Sequence, residues 1–219
     1  MSDFKTILLN TLFLKEEISG PKNNKGILFL DIDDTLLKAK NIFIYRSADH
    51  PSGPAKLTPE QYAKEMVTAE TKQYYDYSDF RNPEKVSKSI TTGMPIIPNL
   101  KMMDIHIKNG WRIGILTARG MEDIINSAIS EFLMYKTPSG DLKKIGDKLV
   151  RDYVHAINDT NKQYEGKTDF EKKAKVLKKY ANKGYQIKFL DDDEKNIQAV
   201  RKLAQEENLD IQAIKAHKG

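Results

Sequence analysis

The stretch Ile27-Leu28-Phe29-Leu30-Asp31-Ile32-Asp33-Asp34-Thr35 decides the fold class of this chain. Its first four residues are apolar and indicate a buried strand. Carboxylates occupy three of the next four positions. Like charges so close together raise one another's pKa, which costs free energy unless a cation lies between them. The stretch therefore predicts a site for Mg²⁺ and phosphate chemistry at the carboxyl end of a strand.

Two structural explanations compete with a catalytic role for these carboxylates. A calcium loop of the EF-hand type would need glycine at its sixth position and glutamate at its twelfth, where this chain has Leu36 and Ile42. An acidic turn accounts for Asp34 but not for the strand before it. Asp31 and Asp33 alternate along an extended backbone and so point the same way, which favours the catalytic interpretation.

The composition of the chain bounds its class. With 219 residues, 39% of them hydrophobic and 31% charged, it can form one α/β domain or a core with a small accessory domain. Because we find no apolar run of membrane-spanning length and no signal peptide, we expect a cytoplasmic protein with no membrane association. The lack of cysteine excludes disulfides and thiolate metal sites. The net charge of +5 favours anionic partners, although a solvated lysine-rich surface explains the same excess.

Apolar segments bounded by turns alternate with helical patterns along most of the chain. The predicted strands are Ile27–Asp31, Arg112–Leu116, Tyr153–Ile157, Gln186–Leu190 and Ile211–Ala216. The predicted helices are Leu100–Lys108, Met121–Tyr135, Asp169–Asn182 and Glu194–Glu207. Strands that alternate with helices indicate an α/β fold with a doubly wound parallel sheet, which binds ligands at the carboxyl ends of its strands.

The alternation is interrupted between residues 38 and 95. This stretch contains a short helix predicted near Thr58, with proline at its first position. An aromatic cluster follows, formed by Tyr74, Tyr75, Tyr77 and Phe80. An insertion directly after the acidic strand predicts a cap over the site, with a surface excursion as the alternative. We thus expect a core formed by residues 25–37 and 96–219, preceded by an amphipathic helix and linker over residues 1–24.

A second motif is Ile113-Gly114-Ile115-Leu116-Thr117-Ala118-Arg119, a strand that ends in a hydroxyl residue. Thr117 can hold a phosphoryl oxygen through its hydroxyl group and a neighbouring backbone N–H, which we assign to Ala118. A helix N-cap explains Thr117 equally well.

A third strand, in Phe189-Leu190-Asp191-Asp192-Asp193, also ends in carboxylates. Asp193 is explained as the N-cap of the following helix. Asp191 and Asp192 are not explained in that way.

A lysine on the helix after Thr168 would place a cation near these carboxylates, where it can neutralise a transferring phosphoryl group. The predicted inward stripe of this helix is Phe170, Ala174, Leu177 and Ala181. At about 100° per residue, Lys173 lies roughly 60° from Phe170, whereas Lys172 lies roughly 160° away and faces solvent. We therefore choose Lys173, with Lys167 as the alternative.

Taken in order, these motifs resemble those of the haloacid dehalogenase (HAD) superfamily. The family's four motifs match Asp31–Thr35, Thr117, Lys173, and Asp191-Asp192 with Asn196. The resemblance covers residues 27 to about 205 apart from the insertion. The stretch Phe80–Lys85, together with Lys172-Lys173 and the aspartates of the last motif, is similar to stand-alone members carried by large tailed phages. It implies a Rossmann-like core with five parallel strands in the order 5-4-1-2-3, flanked by helices, and a small cap inserted after strand 1.

The resemblance also implies a Mg²⁺-dependent phosphatase. Asp31 would attack phosphorus and form an aspartyl-phosphate, and Asp33 would be the general acid and base. Asp31, the backbone carbonyl of Asp33 and Asp192 would bind Mg²⁺, while Asp191 or Asn196 would hold a metal-bound water. The phosphoryl oxygens would be bound by Thr117, Ala118 and Lys173.

Two classes of substrate remain open at the level of sequence. The basic charge and the tyrosine-rich cap favour a nucleotide or a nucleic-acid phosphate end, because aromatic faces can stack a base. Packing of the cap's own core explains the same tyrosines, and a sugar phosphate or another metabolite is the alternative substrate. A second function is that of a catalytically idle binding module with a HAD fold. The joint presence of Asp31, Asp33 and Asp192 argues against that function.

Overall fold

The computed structural model describes residues 20–22, 25–62, 64–65, 67–68, 70–136 and 149–217. Its strands are β1 (Gly26–Leu30), β2 (Leu37–Lys38), β3 (Ile44–Arg46), β4 (Ala55–Leu57), β5 (Tyr75–Asp76), β6 (Met94–Pro95), β7 (Arg112–Thr117), β8 (Leu149–Ala156), β9 (Gln186–Asp191) and β10 (Ile211–Lys215). Its α-helices are α1 (Pro59–Tyr62), α2 (Pro83–Thr91), α3 (Ile97–Lys108), α4 (Glu122–Lys136), α5 (Asp169–Ala181) and α6 (Glu194–Glu206). Among the helices of these residues, none has both the length and the apolar character needed to cross a membrane. The predicted helix within residues 1–24 lies outside the described residues.

The long strands form one parallel sheet of five strands in the order β10-β9-β1-β7-β8. The written order differs from the predicted 5-4-1-2-3 because five short strands, which the sequence analysis did not predict, lie between β1 and β7 in the chain and enter the count. These strands have only two or three residues each, too few for a periodic pattern. If only the five long strands are numbered, in the order of the chain, they lie across the sheet in the order 5-4-1-2-3. The acidic stretch therefore follows the middle strand of the sheet.

The residues of β1 alternate between two hydrophobic cores. Leu28 and Leu30 pack with residues of α2, α3 and α4 on one face of the sheet. Ile27 and Phe29 pack with residues of α5 and α6 on the other face. Because side chains alternate along a strand, the position after Leu30 is directed toward α5 and α6.

Helices α5 and α6 begin near the carboxyl edge of the sheet, and capping residues define where each begins. Thr168 and Glu171 form the predicted capping box of α5, and Asp193 caps α6 by accepting a hydrogen bond from the Lys195 backbone N–H at 2.9 Å. The buried residues of α5 are Lys173, Ala174, Val176, Leu177 and Tyr180. The stripe is thus rotated toward Lys173 relative to the prediction, because Phe170 and Ala181 at the helix ends are only half-buried.

The chain between β2 and β6 contains a small sheet with its own core. Strand β3 pairs antiparallel with β4 and β5, and Ile44, Leu57 and Tyr75 form the centre of this core. Strands β2 and β6 pair with each other and connect this cap to the main sheet. Helix α2 lies within the predicted insertion, yet its residues Val86 and Ile90 belong to the main core. The sequence analysis missed α2, although Asn82 before Pro83 is a typical start of a helix.

His155 on β8 predicts a pH dependence of stability. Its ring nitrogens lie 2.8 Å from the Tyr180 hydroxyl and 3.2 Å from the Tyr164 hydroxyl, and burial lowers its pKa to about 4. An unfolded histidine titrates near pH ~6.5, so protonation increasingly favours the unfolded chain as the pH falls from about 6.5 to about 4. Between pH 7 and pH 4.5, we expect the natural sequence to lose roughly 2 kcal/mol more unfolding free energy than His155→Gln, measured by urea titration. Tyr164→Phe is the control, because it keeps the buried imidazole and should keep the extra loss. Equal losses in the natural sequence and in His155→Gln would contradict the prediction.

Candidate active site

Three strands of the sheet end side by side at the acidic stretch. Strand β7 ends at Thr117, β9 ends at Asp191, and Asp31 follows β1, which lies between them. The backbone N–H of Asp31 donates to the Leu190 carbonyl at 3.0 Å and so extends the ladder between β1 and β9. Residues far apart in the sequence meet at this edge because neighbouring parallel strands end there together.

The ammonium group of Lys173 lies between two of these carboxylates. Its Nζ donates to Oδ1 of Asp31 at 2.9 Å and to Oδ2 of Asp191 at 2.7 Å. All three residues are buried, and Lys173 is only 1% exposed. Because a buried charge is tolerated only when it is paired, this bridge holds both carboxylates in place. The alternative lysine, Lys167, is exposed.

The charges at this bridge do not balance. Burial, followed by the negative charges of Asp191 and Asp33, raises the pKa of Asp31 to about 8, although Lys173 opposes the rise. Burial by itself would lower the pKa of Lys173, but the charges of Asp31 and Asp191 outweigh it and raise this pKa. The ammonium group therefore stays charged, whereas the Asp31 carboxyl group is largely protonated at neutral pH as long as no cation offsets its negative charge.

Asp31, Asp191 and Asp192 can together hold a metal ion. One carboxylate oxygen of each lies within 4.8 Å of the oxygens of the other two. Oxygen donors with excess negative charge suit a hard divalent cation such as Mg²⁺. The residues present thus fit the metal that the sequence analysis expected.

Asn196 fixes the orientation of Asp191. Its Nδ2 donates to both carboxylate oxygens of Asp191, at 3.1 and 2.9 Å, and the backbone N–H of Asp193 donates to Oδ1 at 2.8 Å. With Lys173 as a further donor, both Asp191 oxygens are bound to protein groups. Asn196 thus contacts the carboxylate cluster through Asp191, and the expected role of this pair in holding a metal-bound water stays a prediction.

Asp33 is held by Arg119, a residue to which the sequence analysis gave no role. Arg119 donates through Nε to Oδ2 and through a terminal nitrogen to Oδ1 of Asp33, both at 2.7 Å. The guanidinium is buried, and its other terminal nitrogen donates to Ser89 Oγ of α2 at 2.8 Å. The paired carboxylate of Asp33 lies outside the cluster of the other three aspartates, so its expected ligand role rests on its backbone carbonyl alone. The alternation from Thr117 to Arg119 was the available signal, because it places both residues on one side of an extended chain.

The turn after Asp33 is fixed by local backbone geometry and by one buried amide. Asp34 has a positive φ of 53°, which aspartate tolerates, and its N–H donates to the Leu37 carbonyl at 2.9 Å. Asp34 is thus a turn residue, as predicted. The Nδ2 of Asn99 on α3 donates to the Thr35 carbonyl at 2.8 Å, which ties the turn to the main core.

Thr117 and Ala118 lie at the same edge of the sheet. Thr117 is 1% exposed, and its Oγ1 accepts a hydrogen bond from the Arg119 backbone N–H at 3.3 Å. The hydroxyl keeps its proton for donation to another group. Ala118 is exposed, so a ligand can approach the backbone there. This arrangement is compatible with the predicted binding of phosphoryl oxygens by Thr117 and Ala118. The role of both residues stays a prediction.

Lys172 does not face solvent as the helical-face argument predicted. It is half-buried, and its Nζ donates to Asn158 Oδ1 at 2.8 Å. Asn158 in turn donates to the Ala118 carbonyl at 2.7 Å. The long lysine side chain reaches the loop after β8, which the single-helix argument could not take into account.

The geometry defines an α/β protein with an acidic, lysine-bridged site at the carboxyl edge of its sheet. The chain matches no family model, no curated protein and no solved structure. The chemistry of the site therefore has to be argued from the site itself.

The carboxylate cluster predicts different effects on Mg²⁺ binding for substitutions at two adjacent residues, Asp192 and Asp193. Asp192→Asn should weaken Mg²⁺ binding at least about tenfold in isothermal titration calorimetry, because it removes a charged oxygen donor. Asp193→Asn should bind Mg²⁺ as the natural sequence does, since asparagine is an equally good N-cap for α6. Equal losses in both variants, or none in either, would show that the cation is not held by this cluster.

Proposed function

We propose that this protein is a Mg²⁺-dependent phosphomonoester hydrolase of the HAD type, with Asp31 as its nucleophile. The observation that carries the proposal is the buried Lys173 bridge between Asp31 and Asp191, which lies within a cluster of metal-competent carboxylates. Around this bridge, the carboxylate of Asp31 can be the nucleophile, the ammonium group of Lys173 can bind phosphoryl oxygens, and the aspartates can hold a metal ion. The order of the long strands and the cap inserted after β1 also support the HAD assignment.

The proposed reaction has two displacements at phosphorus. In the first, a carboxylate oxygen of Asp31 forms a bond to phosphorus, the bond to the leaving alcohol breaks, and Asp33 gives that alcohol a proton. In the second, water attacks the aspartyl-phosphate, Asp33 takes a proton from this water, and inorganic phosphate leaves. Lys173, the Thr117 hydroxyl and the Ala118 N–H bind the phosphoryl oxygens. Mg²⁺, when held by Asp31, the Asp33 carbonyl and Asp192, would neutralise charge on the phosphoryl group.

Arg119 controls the carboxylate that moves the proton. It binds both oxygens of Asp33, so one of these contacts must be exchanged for the leaving oxygen before a proton is transferred. The remaining contact with Arg119 keeps the Asp33 carboxylate oriented toward the substrate. We therefore assign Arg119 as a positioning residue for the general acid.

The tyrosines of the cap give little support to base stacking. Tyr75 is buried in the cap core, and its hydroxyl donates to Glu65 at 2.6 Å. The hydroxyls of Tyr62 and Tyr77 lie 2.5 Å apart. A nucleotide or nucleic-acid phosphate end stays our proposed substrate because of the net charge of +5. A sugar phosphate or another metabolite is the alternative.

Asp31→Asn should abolish phosphate release from every substrate that the natural protein hydrolyses, because the amide cannot form the covalent intermediate. The measurement is phosphate release with Mg²⁺ from nucleoside 5′- and 3′-monophosphates, nucleic-acid 3′-phosphate ends, sugar phosphates and p-nitrophenyl phosphate. Chelation by EDTA should have the same effect, and added Mg²⁺ should reverse it. Unchanged release in Asp31→Asn would disprove the mechanism, and no release from the whole panel would favour a binding module.

Arg119→Lys should lower kcat for an alkyl phosphate by about 10²-fold, because lysine cannot hold Asp33 in the two-point geometry. The loss should be much smaller for p-nitrophenyl phosphate, whose leaving group needs little protonation. Ser89→Ala is the matched control: it removes one contact of Arg119 but leaves the pair with Asp33. Equal losses for both substrates would assign Arg119 a structural role only.

A further inference from the structure

A cleft opens between the core and the cap beside Asp33. It has a volume of about 160 Å³ and is lined by Asp33, Asp34 and residues 38–40, where the chain leaves the core for the cap. Thr58, Pro59 and Glu60, where α1 begins, line it from the cap side. Under the proposed function, Asp33 gives a proton to the leaving oxygen. The cleft is therefore placed to receive the leaving alcohol.

The volume of the cleft limits the size of that alcohol. An apolar cavity of about 150 Å³ binds benzene, so a cleft of this size admits a group of similar bulk. A pentose or a three-carbon acid meets this limit. A purine nucleoside exceeds it, and its base would lie outside the cleft.

Two lysines are among the residues that line the cleft. Lys38 Nζ lies 3.9 Å from Glu60 Oε1, and the Glu60 side chain is 51% exposed, so this ion pair is weak. Lys40 is exposed and lines the same cleft. Three carboxylates line the same cleft: that of Asp33 is paired with Arg119, and those of Asp34 and Glu60 lie on the same lining as the two lysines. An anionic group on a ligand would have to displace Glu60 from Lys38, which the length and exposure of that ion pair favour, and would bind Lys40 as well.

We propose that this cleft is a leaving-group subsite that selects phosphomonoesters whose alcohol carries a second anionic group, bound by Lys38 and Lys40. The inference rests on the proposed phosphatase function and names the substrate class for it. A carboxylate and a second phosphate share the required chemistry. The first occurs in a phosphorylated hydroxy acid and the second at a nucleic-acid 3′-phosphate end, where the next phosphate follows one pentose away.

Matched pairs of substrates test this preference. Glycerol 3-phosphate and 3-phosphoglycerate share a three-carbon skeleton, but only the second carries a carboxylate on its leaving alcohol. Deoxyadenosine 3′-monophosphate and 3′,5′-bisphosphate differ in the same way by a phosphate. With Mg²⁺, we expect kcat/KM to be higher by about tenfold or more for the anionic member of at least one pair. A factor of this size corresponds to the binding energy of one charged hydrogen bond. The pair that shows the difference identifies the source of the anion.

Variants of the lysines locate the effect. Lys40→Gln and Lys38→Gln should each reduce the ratio of kcat/KM within the preferred pair toward one, with the loss carried by KM of the anionic substrate. Lys72→Gln is the control: this exposed cap lysine lies outside the lining of the cleft, so the ratio and both rates should be retained.

The result for p-nitrophenyl phosphate separates the subsite from the proposed function. Hydrolysis of this ester without a preference in either pair overturns the subsite and leaves the phosphatase standing. No hydrolysis of any ester overturns both. A preference that survives in both Lys38→Gln and Lys40→Gln, or that is lost equally in Lys72→Gln, also overturns the subsite.

Discussion

The buried ammonium group of Lys173 is the interaction on which the rest of the site depends. It bridges Asp31 and Asp191 across the carboxyl ends of two neighbouring strands. Removing one partner of such a buried ion pair costs about 3–5 kcal/mol, because the remaining charge is left uncompensated. The site also depends on the capping box at Thr168. It fixes the residue at which α5 begins and therefore the position of Lys173.

Asp31 and Asp33 were predicted to point the same way, but they lie beyond the end of β1 and are held from opposite faces of the sheet. Asp31 is directed toward α5 and α6 and meets Lys173 there, while Asp33 is held by Arg119, whose guanidinium also contacts α2 on the other face. The proposed nucleophile and the proposed proton carrier, two residues apart, thus have different environments. This difference allows two like carboxylates to do different chemistry at one strand end.

The cap and the core share responsibility for what reaches Asp31. The short pairing of β2 with β6 connects them, and the cleft between Asp33 and Glu60 lies directly beside that connection. The tyrosines that suggested base stacking are used largely inside the cap. Charge at the cleft, and not stacking on aromatic side chains, is therefore the feature of this cap on which the proposed substrate preference rests.

The sequence by itself determined the five long strands, the helices between and after them, and the carboxylates at the strand ends. These features depend on local patterns: apolar runs, capping residues and alternation along a strand. Lys173 also followed from sequence, because the angle between residues on a helix is fixed. The short cap strands were missed because two or three residues carry no period, and the capping signal of α2 was overlooked.

Only the tertiary structure decided how these parts contact one another. The bidentate pair of Arg119 with Asp33 joins residues 86 positions apart in the chain, and no local pattern encodes that distance. No local pattern encodes the hydrogen bond from Lys172 to Asn158 or the cleft between Lys40 and Glu60 either. Such contacts depend on how strands and loops are brought together in space, so the residues that hold the acid and shape the leaving-group cleft appear only once the chain is folded.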